Sequence, residues 1–296
     1  MSLLSSRTLD DQIGPLIRLP RCAQSRTIGL LSLDPSPYGK AAVLSGIQHA
    51  ARESDYCVSI VSPLVTSQGS LRSAVRRLRH LAVDGILVLA PQPAAIETLA
   101  RVSAPLPVVA LGAPQQDVLS AVSSDHYAGA AAATRHLLGL GHRTVFHIAG
   151  ALDGSEPGSR LAGWRDALLA AGTNVPAALV GDGSPQRGYA LGCCLARRDD
   201  VTAIFVAGDQ MALGVLRAMS EAGRRVPDDI SVVGFGGIPE GEFFNPPLTT
   251  VRQDFTEMGR RGAELLQAEI EAGGLATVHE TIPAELILRA STAAAV

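Results

Sequence analysis

The sequence predicts an α/β protein of two doubly wound lobes, each a parallel sheet covered by helices. Three observations predict it. From Thr27 onward, short β-branched or Leu-rich runs alternate with longer helical stretches. The runs 85–90 and 107–111 are apolar throughout, as strands covered on both faces are. After a short strand at 121–123 the alternation starts again, which implies a second lobe.

In the first series, 27–33 reads as a strand, 39–54 as a helix, 57–61 as a strand and 71–81 as a helix. The strands 85–90 and 107–111 bracket a helix near 94–102. In the second, helix 126–140 leads to strand 144–149, helix 160–171 to strand 178–180, and helix 186–197 to strand 203–207. Helix 210–222 and strand 231–235 complete it. Asp125 and Asp209 each precede a helical run, where a carboxylate can accept from free backbone N–H groups. Gly141, Gly172 and Gly223 follow helices, where a left-handed residue is common. Ala130, Ala133, Leu137 and Leu140 fall on one face of helix 126–140. Pro227 stops helical continuation before strand 231–235.

Composition narrows the function. With 47% hydrophobic and 18% charged residues, the 296-residue chain can bury substantial cores and is not disordered. A net charge of −3 provides no overall basic surface for displacing counterions from phosphates. The helical cluster Arg72, Arg76, Arg77 and Arg79 reads as a solvated face. Cys22, Cys57, Cys193 and Cys194 form no C-x-x-C pattern and are expected as reduced thiols packed inside a cytosolic protein. No run reaches membrane-span length. Residues 1–26 carry Asp10, Asp11, Pro15 and Pro20 where an export signal needs an apolar run, and read as a mobile leader or linker. No H-E-x-x-H or Cys/His metal spacing, no G-x-S-x-G elbow and no P-loop is present. Gly139-Leu140-Gly141 ends a helix and is no dinucleotide fingerprint. Neither an enzyme, a cofactor nor a metal is expected.

A set of segments then points further. TIGLLSL, YGKAAVLSGIQHAARESDY and VDGILVLAP come first. DHYAGAAAATRHLLGLGHRTVFHIAG and RLAGWRDALLAAG follow, then VTAIFVAGDQMALGVLRAMSEAGRRVPDDISVVGFGGIP, PPLTTVRQDFTEMGRRGAELL and PAELILRAST. In order and spacing, from about Thr27 to Thr292, the chain resembles the LacI/GalR family of bacterial transcription regulators.

The resemblance implies a periplasmic-binding-protein-like core with discontinuous lobes, 27–123 plus 255–281 and 124–254 plus 282–296. Three crossovers, near 123, 254 and 281, would join them. A small effector, carbohydrate or related, would bind the interlobe cleft of a cytoplasmic homodimer. Operator DNA would be met only through a helix-turn-helix headpiece, for which residues 1–26 are too short. A solute-binding protein of a transport system is the alternative, and an enzyme of Rossmann-like architecture a further rival.

The effector contacts implied are Tyr38, Asp125, Arg160, Gly208, Asp209, Gly236, Gln253 and Phe255. Arg160, just before LAGW, would grip a carboxylate or paired hydroxyls. Tyr38 would stack on a ring at the cleft lip. Asp125 and Asp209 read as helix caps as well as contacts. Gln253 offers both donor and acceptor, and Phe255 packs at the hinge or on the ligand. The chain departs from the family at Gly208, where Asn is usual, and at Gly236, where an acidic residue is usual. Gly154 and Gly183 stand where relatives often carry Trp. These glycines imply a cleft recut for a larger or less hydroxylated effector, or one that has lost tight sugar binding.

Overall fold

The computed structural model describes residues 25–33, 37–63, 67–90, 92–113, 118–151, 155–273 and 277–295. Residues 1–24 lie outside them, and with them nearly all of the expected leader and Cys22.

The first series runs β1 (Thr27–Ser32), α1 (Pro37–Glu53), β2 (Cys57–Val61), α2 (Gln68–His80), β3 (Gly85–Leu89), α3 (Pro93–Ser103), β4 (Val108–Leu111) and β5 (Ser120–Ser124). The second runs α4 (His126–Gly139), β6 (Phe146–Ala149), α5 (Ser155–Ala170), β7 (Leu179–Val180), α6 (Pro185–Ala196), β8 (Ala203–Val206), α7 (Asp209–Glu221), β9 (Ser231–Gly236) and β10 (Thr249–Arg252). Then come α8 (Phe255–Ala272), β11 (His279–Ile282) and β12 (Glu285–Ile287).

The strands form two six-stranded sheets, in the orders β11-β5-β4-β3-β1-β2 and β12-β10-β9-β8-β6-β7. All pairings are parallel except β10 with β12, an antiparallel edge that the sequence pattern did not predict. Apolar clusters lie on both faces of each sheet, which is why β3, β4, β6 and β8 are buried along their whole length.

The chain passes between the sheets three times: from β5 into α4, from β10 into α8, and from β11 into β12. Local chemistry marks the first two. Asp125 accepts from the Ala128 N–H at 2.8 Å, and Asp254 from the Glu257 N–H at 2.9 Å, so each passage ends in a capped helix. Helix α8 then lies against α1 with backbones nearly touching. A Cβ at Gly46 would stand 1.9 Å from the Thr256 carbonyl, and one at Gly259 2.1 Å from that of Val43. This contact fixes where α8 begins, and so where Phe255 sits.

Much of the sequence reading holds. Gly141, Gly172 and Gly223 take φ of 90°, 66° and 71°, as left-handed residues after helices do. In α2, Leu71, Ala74, Val75 and Leu78 are buried, while the four arginines face solvent. Three readings are corrected. Cys57 and Cys194 are exposed and Cys193 half-buried, because β2 is an edge strand and α6 buries Gly188, Leu191, Gly192, Leu195 and Ala196. Leu140, the C-cap of α4, is only half-buried. Strands β11 and β12 and the 3-10 turn Pro239–Phe243 were not separated from the loops around them.

Candidate functional site: a cleft between the two sheets

A cavity of about 780 Å³ opens between the sheets. One wall comes from Gly39 and Val43 of α1, Leu89 and Ala90 at the end of β3, Gly112 after β4, and Phe255 and Met258 of α8. The other comes from Glu156 of α5, Asp182, Gly183 and Pro185 after β7, and Gly208, Asp209 and Gln210 at the start of α7. Phe235, Gly236, Ile238 and Glu240 at and beyond the end of β9, and Gln253 at the second crossover, complete it. In both sheets these are carboxyl ends of strands, where doubly wound folds take up ligands.

Asp209 is 2% exposed, and its carboxylate is engaged by its own chain. Oδ1 accepts from the Thr250 hydroxyl at 2.6 Å and Oδ2 from the Ile238 N–H at 2.9 Å. Burial pushes this carboxyl up from its ordinary value, against the pull of the Thr250, Ile238 and Gly237 bonds. Asp209 therefore ties the head of α7 to β9 and β10. It is the first residue of α7 and not its cap. The cap is Gly208, which has no side chain to serve the helix.

Gly236 and Gly237 have a backbone reason to be glycine. Their φ values are 125° and 73°, and a Cβ at Gly237 would stand 2.8 Å from the Arg252 Cα. Gln253 is 8% exposed and faces the cavity across the crossover. The Phe255 ring lies 3.4 Å from the Cβ position of Gly39. Gly183, with φ 89°, lines the cavity near Asp182. Tyr38 falls in the first turn of α1, but its side chain lies outside the described residues, as does Gly154. Asp125 faces a smaller chamber next to the cleft.

Arg160 occupies a different place from the one expected. It is buried behind the wall, and Glu156 takes the lining position. The Arg160 Nη1 donates to His126 Nδ1 at 2.9 Å and lies 3.8 Å from Glu156 Oε2. Its Cζ sits 5.0 Å from the centroid of the Phe235 ring. Burial raises the Glu156 carboxyl, but His126 and Arg160 more than offset this and hold it below its ordinary value. The sequence reading overlooked Glu156 and His126. Their signals were an acid four residues before Arg160, in the first turn of α5, and a histidine directly after a capping aspartate.

Four acidic residues, Glu156, Asp182, Asp209 and Glu240, thus line the cavity, the Asp209 carboxylate being turned to its own chain, with no Lys, Arg or His among the described lining residues. The internal segments outside the described residues contain none of these three residues either. Among the described residues no group of three or more His, Cys, Asp or Glu side chains could hold a metal ion, and no helix is long and apolar enough to cross a membrane.

The family model of the periplasmic binding protein-like domain matches residues 134–292. The lactose operon repressor of Klebsiella pneumoniae is 31% identical over 267 residues, 90% of this chain and 75% of that protein. The chain belongs to the LacI/GalR family of transcriptional regulators. Solved structures agree. A lac repressor dimer bound to operator and the anti-inducer ONPF superposes with a TM-score of 0.84 at 28% identity, over 92% of this chain and 96% of that one. A complex of the regulator CelR with cellobiose gives 0.82 at 30% identity, over 90% and 85%. As a LacI/GalR core, the chain is the effector-binding core of a regulator.

Proposed function

We propose that this LacI/GalR core senses an uncharged, hydroxyl-rich carbohydrate in the interlobe cleft. The observation that carries the reading is the lining: four acidic residues, Gln253 and an apolar set including Phe235, Phe255 and Ile238, with no cation among the described residues. A sugar phosphate or a carboxylic acid would meet like charge at Asp182 and Glu240, with no cation on the described lining to pair with it. Sugar hydroxyls can donate to carboxylates, and the apolar face of a sugar ring can lie on aromatic side chains. Relatives crystallised with cellobiose and with ribose support the ligand class.

In this reading the contacts are Gly208, Gly236, Gln253 and Phe255. Asp209 shapes the wall and Asp125 faces the adjoining chamber. Residues 27–123 plus 255–281 form one lobe, and 124–254 plus 282–296 the other. Effector binds one closure state better than another, and that difference in affinity moves the lobes. The working unit is a cytoplasmic homodimer, as in the lac repressor dimer on operator, with DNA contacted through headpieces set by the two-fold axis. Turnover has no part in it.

A thermal-shift panel of neutral mono- and disaccharides, sugar phosphates, nucleosides and aromatic acids tests this. Neutral sugars should raise the melting temperature in proportion to the logarithm of concentration above Kd, and Gln253→Ala should reduce that rise. Stabilisation by phosphates or acids with none by neutral sugars would overturn the reading.

A further inference from the structure

Beside the main cleft, at the first crossover, lies a second chamber of about 270 Å³. Ser123, Ser124, Asp125, His126 and Thr281 line it, and Gly112 and Glu156 line both it and the cleft. Glu156 is therefore the partition between the two spaces. At about 30 Å³ per water molecule, the chamber exceeds what one ordered water fills.

Two of the residues that line it each carry a buried polar atom without a hydrogen-bond partner: the Ser124 hydroxyl and Nε2 of His126. Ser124 is 4% exposed and His126 6%. The hydrogen-bond state of the imidazole follows from its neighbour. A guanidinium nitrogen only donates, so Nδ1 accepts the bond from Arg160 and the ring proton stands on Nε2. That N–H lies 3.6 Å from Glu156 Oε1, too far for a hydrogen bond. A buried donor, a free hydroxyl and a carboxylate thus surround the same space.

Few groups satisfy all three. An ammonium cannot accept from the His126 N–H, and a phosphate or carboxylate would meet Glu156 and Asp125. A hydroxyl accepts from Nε2–H and donates to the carboxylate. We propose that the effector cleft continues past Glu156 into this chamber, and that a second, hydroxyl-bearing unit of the effector fills it. The effector is then a disaccharide or an extended glycoside, one unit in each space. Because Ser123 to His126 form the first crossover and Thr281 stands near the third, this second unit binds at the hinge itself.

The inference rests on the carbohydrate reading of the main cleft, and one experiment separates the two. Isothermal titration calorimetry on the whole chain compares matched pairs, glucose with cellobiose and galactose with lactose. The variant Ser124→Val narrows the chamber and removes its hydroxyl; Ser124→Ala removes the hydroxyl alone and covers the case in which valine impairs folding. In the parent, the disaccharide of at least one pair should bind more tightly than its monosaccharide. The variants should weaken that disaccharide by about tenfold and leave the monosaccharide within about twofold. Equal affinities within each pair, or variants that change both sugars alike, would mean that the chamber holds water only. Failure of every sugar to bind would remove the carbohydrate reading and this extension together.

Discussion

The Arg160 guanidinium donates to Nδ1 of His126 at 2.9 Å, with Phe235 under its Cζ at 5.0 Å. Arg160 thus fixes the ring that faces the hinge chamber and neutralises the acid that faces the cleft. Its replacement by Met should cost about 2 kcal/mol, the usual loss for breaking a buried pair reduced because Glu156 is partly exposed. Urea unfolding measures this, and a loss below about 0.5 kcal/mol, the level of neutral surface changes, would contradict it.

His147 lies buried on β6 against Trp164 and Phe205, and its Nδ1–H donates to the Phe205 carbonyl at 2.9 Å. Desolvation lowers its pKa to about 4, with Arg160 adding to the effect and the carbonyl opposing it. The unfolded chain takes up this proton near pH 6.5 and the folded chain only near 4. Stability contributed by the neutral ring is therefore complete above 6.5 and falls as pH drops through that window, by about 3 kcal/mol in all. Urea midpoints between pH 7 and 4 should show this slope in the parent and a clearly smaller one in His147→Asn, where only His136 and His142, also lowered by burial, still contribute. Equal slopes would exclude the histidine as the cause.

Gly112 takes φ 74°, and a Cβ there would stand 3.0 Å from Glu156 Oε1. Gly112→Ala should cost about 1 kcal/mol through the left-handed backbone. It should also push Glu156 aside and weaken sugar binding by more than that loss of stability explains. Calorimetry on folded variant reads the second effect; unchanged affinity would show that Glu156 does not need this contact.

Asp209 serves Thr250 and the Ile238 N–H with two oxygens. Asp209→Ala leaves both donors buried without partners and should cost about 3 kcal/mol. Asp209→Asn should cost about 1 kcal/mol, since the amide keeps an oxygen for Ile238 and the Thr250 hydroxyl can turn to accept. An asparagine variant as unstable as the alanine one would show that the charge itself is required.

The fold was legible because its signals are local. The apolar runs of β3 and β4, the glycines after helices and the Asp125 cap each act within a few residues. The edge strand β12 was harder to read, because its partner β10 lies more than thirty residues earlier and its half-exposed three-residue run has no pattern of its own. At the site, Gln253, Phe255, Gly208 and Gly236, which the family resemblance implied, do line the cleft. The resemblance put Arg160 on the ligand, and its partners here are invisible in one dimension: His126 stands thirty-four residues away, and only the packing of α4 on α5 joins them. Asp209 looked like a cap because it stands beside a helix start, while its bonds run to loops and strands about thirty and forty residues on.

The central claim is that an uncharged sugar binds between the sheets against Gln253 and a wall without cations. Calorimetric titration of the best neutral sugar and of its phosphorylated form, on the parent and on Gln253→Ala, tests it most directly. The neutral sugar should bind the parent and lose about tenfold in affinity on Gln253→Ala, while the phosphate fails to bind. Tighter binding of the phosphate, or a Gln253→Ala variant that binds the sugar as the parent does, would contradict the account.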